Sequence, residues 1–204
     1  TTELRLAVEP MFDEAPTDVA IDNATIAEDA AVGTVIGTLS ATDPEGGAVT
    51  FSLVNNPWGV VSLDGDKLVL NIALDHEAQS SYDVVIRATD VGGEITDQTI
   101  TITVTDVNEA PTNVALSNAK VIEDSPAGTV VGTLSATDPD TGDTLTYSVA
   151  DDTGAFEIVD NQLIVKDLGG VLSHSVTVVA TDSGGLATEK TFKIITTDAD
   201  GNPL

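Results

Sequence analysis

The chain has 204 residues, 34 of them acidic and 7 basic, for a formal charge of −27. Lys and Arg are too few to cluster on a nucleic acid, and an anionic membrane surface would repel the chain. No apolar run approaches the ~18 residues of a transmembrane helix, and the absence of cysteine removes disulfide scaffolds, thiolate zinc sites and cysteine nucleophiles.

Hydrophobic residues make up 41 % of the chain, which points to a folded core instead of an acidic disordered tail. Residues 1–13 read as the tail of a linker, with no signal-peptide pattern at Thr1–Pro10, so the chain reads as a piece of a longer array. Seven short strands follow, at Val19–Ile26, Val35–Ala41, Val49–Val54, Val60–Leu63, Lys67–Asn71, Tyr82–Thr89 and Ile95–Thr105. In the sixth, Tyr82, Val84, Ile86 and Ala88 alternate with Asp83, Val85 and Arg87. In the last, Ile100, Ile102 and Val104 alternate with threonines, which is the period of a half-buried strand. Asp64-Gly65 and, further on, Asp160-Asn161 have the composition of tight hairpin turns. No segment shows a 3.6-residue apolar stripe.

From Glu109 the pattern begins again. Glu14–Pro44 and Glu109–Pro139 are offset by 95 residues and agree at 21 of 31 positions. Later, DVVIRATDVGG at Asp83–Gly93 answers SVTVVATDSGG at Ser175–Gly185. A period of this length suits one small β-domain per repeat, and seven strands in it suit a Greek-key sandwich. The expected division is a linker tail at 1–13, repeat 1 at 14–108 and repeat 2 at 109–204. The linker Asp106-Val107-Asn108-Glu109-Ala110-Pro111 is short and has no Gly/Ser stretch, unlike a flexible hinge.

Many carboxylates fall at strand ends and in loops. Glu28-Asp29 and Glu123-Asp124 precede the GTV strands, and Asp43-Pro44-Glu45 and Asp138-Pro139-Asp140 follow strands ending ATD. Asp75-His76-Glu77 lies in a loop, Asp90 and Asp182 end strands, and Asp106, Asn108 and Glu109 form the linker. A hard cation such as Ca²⁺ takes six to eight oxygens, and acid-x-acid spacing lets alternate carboxylates converge on one ion.

In these motifs the chain resembles two tandem cadherin repeats of the kind found in large bacterial surface and secreted adhesins. The resemblance runs from about Asp13 to Asp200. It implies an all-β fold: two seven-stranded Greek-key β-sandwiches joined end to end by a calcium-binding linker. It implies about three Ca²⁺ between the repeats, held by Glu28, Asp75, Glu77, Asp106, Asn108, Glu109, Asp138, Asp140 and Asp182. Glu109 stands where the family usually has Asp. Seven carboxylates of this set, all but Asp106, sum to −7, against +6 from three ions. At the N-terminal end Asp13, Glu14, Asp43, Glu45 and Asp90 match half of such a site. At the C-terminal end Glu123, Asp198 and Asp200 are a degenerate match, because repeat 2 is shortened between Val165 and Val176 and keeps only Asp167 there.

The function so implied is a calcium-dependent extracellular adhesin segment, stiffened by ions between repeats, whose partners are neighbouring repeats. The alternative is a direct carbohydrate- or self-binding module, with Trp58 and Tyr82 as its candidate residues. Asp138 and Asp140, or Asp75 and Glu77, could be nominated as a glycosidase acid/base pair. Seven aromatics over two sandwiches are too few to line a sugar cleft, and no other catalytic motif is present, so the chain reads as a non-enzyme. His76 and His174 lack a second His or a Cys nearby in sequence, which argues against zinc. His174 reads as a strand-surface residue and Trp58 as a partly buried packing residue. Asn23-Ala24-Thr25 matches a glycosylation sequon, a pattern common by chance.

Overall fold

The computed structural model describes residues 12–150 and 154–204. The remainder of the expected linker tail, Thr1–Met11, lies outside them. Two compact units divide between Val107 and Asn108.

In the first unit the strands are β1 (Thr17–Ile21), β2 (Thr25–Ala27), β3 (Val35–Thr42), β4 (Thr50–Asn55), β5 (Val61–Asp64), β6 (Lys67–Leu70), β7 (Ser81–Thr89) and β8 (Ile95–Thr105). They form two four-stranded sheets, ordered β1-β3-β6-β5 and β2-β8-β7-β4. The inward faces meet in one core: Ile36, Leu39, Leu68 and Leu70 from the first sheet pack with Val84, Ile86, Ile102 and Val104 from the second. Alternation places these residues inside. In β8 the threonines 99, 101 and 103 face solvent while Ile100, Ile102 and Val104 are buried.

The second unit repeats the plan with β9 (Thr112–Leu116), β10 (Lys120–Ile122), β11 (Val130–Thr137), β12 (Thr146–Val149), β13 (Phe156–Val159), β14 (Gln162–Val165), β15 (Ser173–Thr181) and β16 (Ala187–Thr197). Its sheets are ordered β13-β14-β11-β9 and β10-β16-β15-β12. Leu134, Leu163, Val165, Val176, Val178 and Ile194 form its core. No helix among the described residues is long and apolar enough to cross a membrane.

One predicted strand, Val19–Ile26, is two. β1 pairs antiparallel with β3, whereas β2 crosses to the other sheet and pairs parallel with β8. Asn23 makes the break. Its Nδ2 donates to the carbonyls of Thr25 and Ile36 at 2.9 and 2.6 Å, and its Oδ1 accepts the Thr25 N–H. The sequon amide is therefore engaged by two backbone carbonyls. Asn118 does the same in repeat 2, donating to Lys120 and Val131. Gly37 and Gly132 make room for these crossings, since a Cβ at either would run into the backbone of Asn23 or Asn118.

The hairpins differ slightly from expectation. Asp64 pairs with Lys67, so the first turn is Gly65-Asp66, opened by Gly65 at φ 64°. The second is Asp160-Asn161 as expected, with both residues at positive φ. Trp58 is not a packing residue: it is 80 % exposed. His174 is half-buried and packs T-shaped with Phe156, ring centroids 5.2 Å apart, and is not a plain surface residue.

Candidate functional site

Acidic residues stand at the strand ends of both sandwiches. At the C-terminal end of repeat 1, Glu28 follows β2 and is only 7 % exposed. Its Oε2 accepts the backbone N–H of His76 at 2.6 Å and its Oε1 that of Val107 at 2.8 Å. One buried carboxylate thus ties the Asp75–Glu77 loop to the end of β8. The loop is also braced from within, since the Ala78 N–H donates to Asp75 Oδ1 at 2.8 Å. His76 Nδ1 lies 3.2 Å from Glu77 Oε1 and 3.9 Å from Asp106 Oδ2. The hydrogen bond to Glu77 raises the His76 pKa; partial burial opposes this, and the charges of Asp106, Glu77 and Glu28 add to it.

At the N-terminal end of repeat 2, Asp138 and Asp140 follow β11 and Asp182 follows β15. The Asp140 N–H donates to Asp138 Oδ1 at 3.1 Å, and the Glu109 N–H donates to Asp140 Oδ2 at 2.8 Å. Asp182, 6 % exposed, accepts from Leu186 N–H and from Asn108 Nδ2 at 3.0 Å. Burial alone would push the Asp182 pKa up. The Asn108 amide and the backbone N–H groups of Leu186, Gly185 and Gly184 outweigh it and hold the carboxyl below its ordinary range. Asp138 goes the other way. Burial lifts its pKa, the Asp140 N–H opposes this, and repulsion from Asp140, Asp143 and Asp182 adds to the rise.

Asp143 is a member of this face that sequence reasoning missed. Its carboxylate groups with those of Asp138 and Asp140, with ligand atoms all within 4.8 Å of one another, and it accepts a 2.7 Å hydrogen bond from Ser183 Oγ. The signal was present as D-P-D-T-G-D, where repeat 1 has D-P-E-G-G-A.

The N-terminal end of repeat 1 is built alike. The Glu45 N–H donates to Asp43 Oδ1 at 2.7 Å, and the Glu14 N–H reaches Glu45 Oε2 at 3.4 Å. Asp90, 7 % exposed, accepts from Gly93 and Glu94 through Oδ1. The linker residue is seated equivalently in both repeats: a Cβ at Gly92 would strike the Asp13 carboxylate, and one at Gly184 the Asn108 amide.

At the C-terminal end of repeat 2 the expected residues do not gather. Glu123 is exposed. Asp198 Oδ1 accepts the N–H groups of Asp200 and Asn202 at 3.0 and 2.8 Å, so its carboxylate closes a local turn. Those N–H groups hold its pKa below the ordinary range, Asn202 first.

Whether a cation fits can be read from the oxygens. Asp90 Oδ2, Asp138 Oδ2 and Asp143 Oδ2 are buried and receive no hydrogen bond. Buried carboxylate oxygens of this kind are costly without a positive charge or a donor, and they are the oxygens a hard cation takes. The residues present fit calcium at both N-terminal faces.

Comparison with known proteins follows the same lines. Residues 22–105 match the family model described as "Cadherin domain". The chain is 28 % identical over 203 residues to human "Protocadherin beta-1", covering 88 % of this chain and 25 % of that protein. It is 34 % identical over 177 residues to "Cadherin-related family member 1" of Bos taurus, covering 79 % and 20 %. It therefore spans a quarter or less of the length of these relatives. A crystal structure of human protocadherin-24 EC1-2 superposes with a TM-score of 0.73 at 24 % identity, covering 91 % of this chain and all of that one.

Proposed function

Residues 22–105 form a cadherin domain and the second repeat carries the same fold, and from that premise we propose that the chain is a calcium-dependent segment of an extracellular adhesion protein. Cadherin domains are adhesion modules, not enzymes. The reading assigns Glu28, Asp75, Glu77 and Asp106 of repeat 1, with Asn108, Glu109, Asp138, Asp140 and Asp182 of repeat 2, as ligands of about three Ca²⁺. Asp143 joins them. Asp13, Glu14, Asp43, Glu45 and Asp90 are assigned as the matching half of a site toward a preceding repeat. No ion is assigned to Glu123, Asp198 and Asp200, because the first is exposed and the second is committed to its own turn. The bacterial surface setting rests on the sequence resemblance alone; the relatives named above are animal proteins.

The observation that carries this reading is the set of buried, donor-free carboxylate oxygens, Asp138 Oδ2 above all. Calcium bound only by the ordered ends stabilises them by RT ln(1 + [Ca²⁺]/Kd) per site. The two repeats then act as a stiff spacer where calcium is abundant, outside the cell. Calorimetric titration of calcium gives the number of ions. Small-angle scattering with calcium and with EDTA tests the stiffening. The expected result is an extended rod that becomes a flexible pair on chelation; identical profiles overturn it. Changing Asp138 and Asp140 together to Asn removes most of the calcium-dependent rise in melting temperature if the ligands are right.

Trp58 favours a second reading, direct binding of a neutral sugar or of a second copy. It is the sole tryptophan, 80 % exposed, and held at φ 62°, a costly conformation for a bulky residue. Asn56 and Asn71 brace its turn through Val61 and the Gly59 carbonyl. A glycan array with Trp58→Ala as control, and sedimentation of both proteins, test it. Loss of glycan binding or of self-association in the variant supports it; no binding and no association by the wild type ends it.

A further inference from the structure

Calcium has little use for His76, because a hard cation takes oxygen ligands while imidazole suits zinc and its neighbours. Yet His76 Nδ1 faces two carboxylates, at 3.2 Å from Glu77 Oε1 and 3.9 Å from Asp106 Oδ2, and the three residues group their ligand atoms within 4.8 Å of one another. A tetrahedral zinc ion with bonds of about 2.0–2.2 Å sets its ligand atoms roughly 3.3–3.6 Å apart. The separations of 3.2 and 3.9 Å straddle that edge. The first contact is also a His–Glu hydrogen bond; the second brings in Asp106, which lies 29 residues beyond Glu77 in the chain.

What joins the two segments is Glu28. Its buried carboxylate holds the His76 N–H with one oxygen and the Val107 N–H with the other, so the loop bearing His76 and Glu77 is fixed against the strand end bearing Asp106. Such outer support orients ligands before an ion arrives. Sequence spacing alone argued against zinc for want of a second nitrogen or sulfur ligand. The fold supplies the missing ligands as oxygens.

We propose that His76 Nδ1, Glu77 and Asp106 form a zinc site on repeat 1, with its remaining position open to water, and that zinc there competes with calcium for Glu77 and Asp106. The zinc site stands on its own geometry; only the competition rests on the calcium reading.

Calorimetric titration of ZnCl₂ into the full chain, stripped by chelator and free of calcium, tests the site. The expected result is a zinc-binding event that His76→Ala and His76→Arg each weaken by about tenfold or more, and that His174→Ala leaves unchanged. Circular dichroism of each variant verifies the fold. Zinc binding that persists unaltered in both His76 variants overturns the site, as does a wild type that binds no zinc. Calcium titrations of the same proteins, without zinc, report the calcium reading separately. If calcium binds but millimolar calcium leaves zinc affinity unmoved, the competition is overturned. If calcium does not bind at all while zinc does, the calcium reading fails alone.

Discussion

Glu28 and Glu123 occupy equivalent places in two repeats that agree at 21 of 31 positions around them, and their backbones behave alike. The Glu28 N–H donates to the Thr105 carbonyl at 3.1 Å and the Glu123 N–H to the Thr197 carbonyl at 2.9 Å. Their side chains live differently. Glu28 is buried and clamps two segments; Glu123 stands in solvent. The cause is the connection elsewhere. Residues 71–80 join β6 to β7 in repeat 1, whereas only residues 166–172 join β14 to β15 in repeat 2. The shorter connection brings no Asp-x-Glu loop over the carboxylate. Asp198, the counterpart of Asp106, then folds into its own turn. A ligand residue is thus made by what covers it as much as by the motif that contains it.

The largest test of this comparison asks whether the two repeats are separate in energy. Leu68 and Leu163 are fully buried counterparts. Leu68→Ala should cost repeat 1 about 2–5 kcal/mol, as expected for a cavity in a small core. Hydrogen exchange of the β15 amides should then stay unchanged; a parallel loss there would mean the repeats share stability. Second in size is the glutamate pair. Glu28→Ala leaves two N–H groups without their acceptor and should cost about 1–3 kcal/mol in calcium-free urea denaturation. Glu123→Ala should stay within about 0.5 kcal/mol, and equal losses would erase the contrast drawn here.

The asparagines should bring the repeats back together. Asn23→Ala and Asn118→Ala each remove a hydrogen bond to the neighbouring strand, β3 or β11, at 2.6 and 2.7 Å, and should cost about 1 kcal/mol apiece. The smallest effect concerns Arg87 and Asp97, a two-bonded pair at 2.7 and 2.8 Å across β7 and β8, where repeat 2 has Val179 opposite Glu189. The Arg87 guanidinium, through that hydrogen bond first, holds the Asp97 pKa below its ordinary value. Its contribution is therefore present above the ordinary carboxylate pKa and is lost as pH falls through the lowered one. Because the pair is exposed, melting curves of the wild type should lose only ~1 °C over that range beyond the loss seen for Asp97→Asn.

Six of the seven expected strands and the core faces were legible because a period of two is local: Ile100, Ile102 and Val104 announce their face within five residues. The acidic ends were legible as composition, since Asp138, Asp140 and Asp182 stand at strand ends that the alternation already located. Three features were not. The division of the first strand depends on an Asn23 amide reaching the Ile36 carbonyl, 13 residues on. The grouping of His76 with Asp106 depends on a buried carboxylate binding two amides 31 residues apart. Trp58 is exposed and sits at a positive φ that no propensity predicts for tryptophan.

The strand break at Asn23 and Asn118 has a mechanical consequence. It places β2, near the start of its repeat, parallel to β8 at the end, and β10 parallel to β16. When the two ends of a repeat are pulled apart, the partners of each parallel pair are drawn in opposite directions along their common axis. The ladder is then loaded in shear: its hydrogen bonds carry the tension together instead of opening one at a time like a zipper. On the adhesion role proposed above, the segment is under tension in use, and the crossing beside Asn23 and Asn118 decides how that tension is borne.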